Sequence, residues 1–157
     1  MASLRIEQLA KRTDLLPVVA AWIYHEWWQD VEGASVAKLK DLLRPNLVPD
    51  QIPLSLVASL DTRPVGTASL LARDVGTEQW QHLSPWLAAV YVVLEYRRRG
   101  IGAALVNATA AQAGAMGIEV LYLLTTERED FYSQLGWDVF DRTEDSTVMS
   151  RFLGSLQ

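Results

Sequence analysis

Hydrophobic and polar residues change their spacing several times along the chain, and each change marks an element. Leu4 and Ile6 alternate with Arg5 and Glu7, the two-residue period of a half-buried strand. Leu16, Val19, Ala20, Ile23 and Trp27 then recur at helical spacing, which predicts a helix over residues 15 to 29 with all five on its core face. Asp14 is placed to cap that helix and Pro17 falls in its first turn, where a missing N–H costs nothing. A second helix is predicted from Ser35 to Leu43, following Gly33, and Pro45 to Pro53 reads as a loop.

Leu54 to Leu60 and Val65 to Leu71 are β-compatible runs that flank Asp61-Thr62-Arg63-Pro64, a hairpin turn that pairs them antiparallel. Residues 74 to 85 form a loop, and the unbroken apolar run Leu87 to Leu94 predicts a central strand covered on both faces. Ile101, Ala104, Leu105, Ala108 and Ala115 mark the buried stripe of a helix over 101 to 116, which Gly117 stops. Val120 to Leu124 is a further strand and Arg128 to Leu135 a short helix. Trp137 to Phe140 and Val148 to Phe152 make the final strands. The expected class is α/β (α+β): a single mixed, largely antiparallel sheet flanked by helices, one domain over residues 1–157, with no repeat or linker.

Composition narrows the function. Lys and Arg total 14 against 19 Asp and Glu, a net charge of -5, which argues against a broad electrostatic grip on nucleic acid. Any anion site is therefore local. The longest apolar runs, such as Trp86 to Leu94, are too short to span a bilayer, and Arg5 and Glu7 interrupt what would be a signal core over Met1 to Ala10. A soluble cytoplasmic protein is expected. With no cysteine and only His25 and His82, neither a disulfide framework nor a dedicated transition-metal site is expected.

The segment with chemical character joins the run 87–94 to the helix 101–116. It contains Arg97-Arg98-Arg99-Gly100-Ile101-Gly102. Glycines between a strand and a helix let phosphate oxygens approach the backbone, and the free N–H groups and dipole of the helix start favour negative charge. Residues 95 to 102 carry a formal charge of about +2 on an otherwise acidic chain, which suits a polyanionic cofactor. The bland alternative for three arginines is a solvated basic turn.

Here the sequence resembles the GNAT superfamily of N-acetyltransferases. Arg97, Gly100 and Gly102 occupy the fixed positions of its cofactor motif, Arg/Gln-x-x-Gly-x-Gly/Ala, and Tyr91 to Tyr96 resembles the approach to it. Downstream, Phe131-Tyr132-Ser133-Gln134-Leu135-Gly136-Trp137 resembles the family's Phe-Tyr-x-x-x-Gly-Phe/Trp segment. Leu94 departs from the proline of many members, and Thr125 and Thr126 stand where many place an asparagine. The match covers residues 85 to 140 well and rests on element order alone before that.

The resemblance implies acetyl-CoA as acyl donor and an amine as acceptor, with homodimers frequent in such a family. Backbone N–H groups of Arg98, Arg99, Gly100, Ile101, Gly102 and Ala103 would hold the CoA diphosphate, with Arg97 in the same motif. A bulged strand near Val92 and Val93 would bind the pantetheine arm. A main-chain N–H near Val92 would polarise the thioester carbonyl, and Tyr132 would protonate the departing thiolate, its alternative being a core aromatic. The acceptor itself is the harder half of the chemistry: a lysine-like amine with a pKa near 10.4 costs about 4 to 5 kcal/mol to deprotonate at neutral pH.

For the acceptor side, Glu26 near the end of the first helix and His82 before the central strand are candidate catalytic groups, His82 as general base; surface roles are the alternatives. Asp74 and Glu78 could attract a cationic amine or simply be solvated. A dinucleotide oxidoreductase is disfavoured because Leu105 stands at the third glycine position of Gly-x-Gly-x-x-Gly. A non-catalytic CoA-binding or sensor module is the remaining alternative.

Overall fold

The alternating residues at the N-terminus form β1 (Leu4–Gln8). It is an edge strand, so Leu4 stays 40% exposed while Ile6 packs on the core. The computed structural model describes residues 2–154; Met1 and 155–157, at the two ends of the expected domain, lie outside the described residues.

Asp14 does not cap the first helix. Its carboxylate instead takes Nε and Nη2 of Arg12, both at 3.1 Å, an ion pair that holds the carboxyl below its usual range. α1 (Leu16–Ile23) starts after Leu15 without a side-chain cap and carries Pro17 in its first turn. Leu16, Val19, Ala20 and Ile23 are buried, as the spacing predicts.

From Tyr24 to Trp28 the chain winds as a π turn, with about one residue more per turn than an α-helix. That extra residue rotates Trp27 off the stripe begun by Ile23, and it ends 45% exposed instead of in the core. α2 (Val36–Leu43) is capped as its sequence suggests, Ser35 Oγ accepting the Lys38 N–H at 3.1 Å.

β2 (Leu54–Leu60) and β3 (Arg63–Leu71) are joined by Asp61-Thr62 alone, since Arg63 already faces Leu60. Pro64 sits opposite Ser59 where the register shifts, and a bulge there tolerates its missing N–H. β4 (Trp86–Val92) pairs antiparallel with β3. It is shorter than the apolar run: Leu94 belongs to a 3₁₀ turn, Leu94–Tyr96, and is 70% exposed.

α3 (Ile101–Ala115) follows, then β5 (Val120–Thr125), α4 (Glu129–Gln134), β6 (Asp138–Arg142) and β7 (Thr147–Phe152). The sheet order is β1-β2-β3-β4-β5-β7-β6, mixed and largely antiparallel, with β4 in the middle. The buried face of α3 is Ile101, Leu105, Val106, Thr109, Ala110 and Ala113. Ala104 and Ala108 are only half-buried and Ala115 is exposed, so the stripe is rotated from the expected one.

Two cores sandwich the sheet. Leu56, Val65, Leu70, Leu87, Leu121 and Met149 pack with α3 on one side; Val57 packs with α1 and α2 on the other. Within the sheet, buried Ser55 and Ser69 bond each other at 2.8 Å and Asn46 donates to Ser55 at 2.9 Å, so these polar groups are satisfied. The loop 72–85 covers β5 and β7 through Trp80 and Leu83, and the Trp80 indole donates to Asp141 on β6 at 2.8 Å. No described helix is long and apolar enough to cross a membrane.

Candidate active site

The sheet is split at its centre. β4 and β5 run parallel but share one residue pair, Trp86 with Tyr122, whose N–H donates to the Pro85 carbonyl at 3.1 Å. Among the described residues, Leu87 to Val92 of β4 pair with β3 alone, so a mid-sheet strand presents one edge without a β-partner. Such an edge can hydrogen-bond an extended ligand.

A bulge shapes this edge. The β3–β4 register shifts between Thr67 and Ser69, so β4 holds an extra residue there, and Ala89 takes a left-handed φ of 53°. The bulge therefore lies at Ala89 and Val90, ahead of the Val92–Val93 position expected from the sequence. Beyond it the Val93 N–H is donated to Val65 O at 2.8 Å within the sheet. That bond removes Val93 N–H from any ligand role, and strand alternation turns the Val92 N–H toward the split.

The glycine turn follows at once. Arg98 and Gly100 both take left-handed conformations, with φ of 64° and 81°, and Gly100 caps α3 without a side-chain bond. The first helical bond is Ala104 N to Gly100 O, so the amides of Arg98 to Ala103 donate no backbone hydrogen bond among the described residues. Orphan amides at a helix start, after left-handed residues, form an anion cradle. This donor set fits a diphosphate.

Two distant segments close on this turn. A Cβ built on Gly102 would lie 3.7 Å from Val92 Cγ2 and 3.8 Å from Phe131 Cζ, in ordinary van der Waals contact. The structure thus joins the strand, the glycine turn and the downstream aromatic segment at one point. Tyr132 follows Phe131 on α4, its ring 5.0 Å from Phe131 and 6.1 Å from Trp137. Burial pushes the Tyr132 phenol above its ordinary value, with Arg128 pulling less strongly the other way. It stays protonated at neutral pH.

Other expected groups fall elsewhere. Arg97 does not point at the α3 amides: its Nε donates to the Val92 carbonyl at 2.7 Å, and its guanidinium stands 5.5 Å from the Tyr91 ring centre. Arg99 lies over Tyr96 at 5.2 Å. Glu26 is exposed on the π turn. His82 is exposed in the loop before β4, whose first residue, Trp86, is six residues or roughly 20 Å of strand from Val92 at about 3.3 Å per residue. His82 thus precedes the end of β4 opposite to Val92 and the glycine turn. Burial chiefly, with Glu78 adding to it, pushes the Asp74 carboxyl up, while the Val75 N–H opposes them.

Sequence reasoning missed two contributors. Gly66 faces Val92 across the sheet, and a Cβ there would come within 2.7 Å of Tyr91 O; a lone glycine inside a strand run was the available signal. Trp27, whose spacing predicts the core, instead approaches Tyr91, ring centres 6.4 Å apart. A hollow of about 630 Å³ lies against the far end of α3, lined by Asp50, Gln112 and Met116 among others. It is away from the glycine turn and lined by no cationic side chain, so the chemistry favours the split.

A family model described as an acetyltransferase (GNAT) domain matches residues 53–139. No curated protein matches the sequence. Among solved structures, aminoglycoside 6'-acetyltransferase type Ii superposes with a TM-score of 0.73 at 16% identity, over 98% of this chain and 99% of that one. N-acetylglutamate synthase from Neisseria gonorrhoeae, complexed with coenzyme A and N-acetyl-glutamate, gives 0.71 at 18% identity over 98% of this chain. This chain spans only 36% of the Neisseria protein. The PaiA N-acetyltransferase from Thermoplasma acidophilum, in complex with coenzyme A, gives 0.61 at 18% identity over 96% and 99% of the two chains. At these identities the likeness is one of fold.

Proposed function

The chain belongs to the GNAT acetyltransferase family, whose acyl donor is acetyl-CoA, and from that premise we propose that it transfers the acetyl group by direct attack of an amine. When bound, acetyl-CoA supplies an activated acyl carbon and a thiol leaving group. The observation that carries the reading is the opening of six undonated amides, Arg98 to Ala103, at the start of α3 beside the free edge of β4.

Each residue then has a definite task. The amides of 98 to 103 hold the diphosphate, aided by the helix dipole. The free edge of β4 aligns the pantetheine arm, and the Val92 N–H donates to the thioester carbonyl, where negative charge grows as the amine attacks. Tyr132, kept protonated by burial, gives its proton to the departing sulfur. A thiol with a pKa of about 8.5 leaves tolerably unaided, so this help is smaller than the usual factor of roughly 10² to 10⁴.

Thermal unfolding tests the cofactor, since a ligand that binds only the folded state raises the melting temperature. Acetyl-CoA should raise it and NAD should not; equal, negligible shifts would overturn the reading. Thiol release from acetyl-CoA across a panel of amines then tests transfer.

A further inference from the structure

Arg97 stands on the opposite face of β4 from the amide cradle. Neighbouring strand residues point to opposite faces. Val92 packs toward α3 and Phe131, while Tyr91 faces α1, with Trp22 at 5.7 Å and Trp27 at 6.4 Å between ring centres. The Arg97 guanidinium lies against Tyr91, so it belongs to the α1 face. Its Nε is held by the Val92 carbonyl at 2.7 Å, and its terminal nitrogens have no hydrogen bond or ion pair among the described residues.

Resting on the acetyl-transfer reading above, we infer that the acceptor is an amine bearing both a carboxylate and an aromatic body, an aromatic amino acid or close analogue. Its carboxylate sits on the terminal nitrogens of Arg97 and its ring against Trp27 and Tyr91. A guanidinium edge matches the two oxygens of a carboxylate. Trp27, 45% exposed beside Tyr91, offers the apolar surface that a planar ring covers. An α-amino acid carries amine and carboxylate on one carbon. Because Arg97 is anchored to Val92 itself, a carboxylate held there sets the amine beside the Val92 N–H, where the thioester carbonyl is polarised. A polycation offers no carboxylate to Arg97, whose charge lies against Tyr91.

The test is calorimetry on CoA-saturated protein with N-acetyl-L-phenylalanine, N-acetylphenethylamine and kanamycin. The carboxylated ligand should bind at least about tenfold tighter than either of the others, about 1.4 kcal/mol. In Arg97→Gln, titrated with CoA at saturation, that preference should disappear. Trp27→Ala, a second exposed change, should weaken both ring ligands. Equal binding of the phenyl pair, tighter binding of kanamycin, or a carboxylate preference that survives in Arg97→Gln would each overturn the proposal and leave acetyl transfer standing. Failure of the wild-type protein to bind CoA at all would overturn both.

Discussion

Gly66 on β3 passes so close to Tyr91 on β4 that a Cβ at the glycine would stand 2.7 Å from the Tyr91 carbonyl oxygen and 3.0 Å from Leu105 Cδ1. The obstacle is backbone, which does not step aside as a flexible side chain would. We expect Gly66→Ala to cost about 1 to 3 kcal/mol in urea unfolding, the usual penalty of overpacking. Acetyl-CoA affinity should fall too if, as proposed, the displaced segment is the edge that aligns the cofactor. Gly114→Ala is the opposite case: inside α3, with its nearest foreign contact at 3.9 Å, it should gain about 0.5 to 1 kcal/mol.

Tyr132→Phe should lower kcat by less than about a hundredfold while leaving CoA affinity in calorimetry unchanged. The pH–rate curve provides a second check. Burial raises the phenol's pKa above its ordinary value, so the phenol remains protonated through the neutral range and adds no descending limb there. The variant should reproduce the wild-type curve at lower height. A changed shape in that range, or unchanged turnover, would remove Tyr132 from the reaction.

Space at Gly102 separates sterics from charge. An added Cβ meets Val92 and Phe131 at ordinary distances, so Gly102→Ala should fold and melt nearly as the wild type does. Gly102→Asp sets a carboxylate against the amides of the α3 start and should weaken CoA binding at least about tenfold at low salt, with partial recovery as salt screens the repulsion. Unaltered affinity in calorimetry would mean that the diphosphate sits elsewhere.

Two buried tryptophans provide a matched pair. Trp86 Nε1 donates to Leu83 O at 2.9 Å, whereas Trp137 Nε1 is buried with no hydrogen-bond partner among the described residues. Replacing either with phenylalanine removes a similar volume. Only Trp86→Phe also breaks a hydrogen bond, so it should be the more destabilising by about 1 kcal/mol. Chemical denaturation of the two variants reads the difference directly.

Element order and the glycine turn were legible because each strand and helix writes its period into the chain, as Leu16 to Ile23 and Leu54 to Leu60 show. The direction in which α3 faces was legible only in Ile101 and Leu105, which are buried as expected. Alanines recur on all its sides, so their spacing carries no orientation, and Val106 and Ala113 are buried where Ala108 and Ala115 were expected. The bulge at Ala89 has no residue signature, since alanine is an unusual occupant of its left-handed conformation. Of the expected site, the motif residues Val92, Gly102 and Phe131 do converge. The sequence could not announce that Arg97 would turn back on Val92, because that bond depends on where the strand ends.

The wide turn at Tyr24 to Trp28 makes one position of the chain a natural length marker. A protein shortened by one residue there could wind on as an ordinary helix and bring a different side chain round to Tyr91, while α3 and its amides stayed untouched. With the acceptor against Trp27 and Tyr91 as inferred above, loss of that residue changes which amine fits and leaves the α3 start in place.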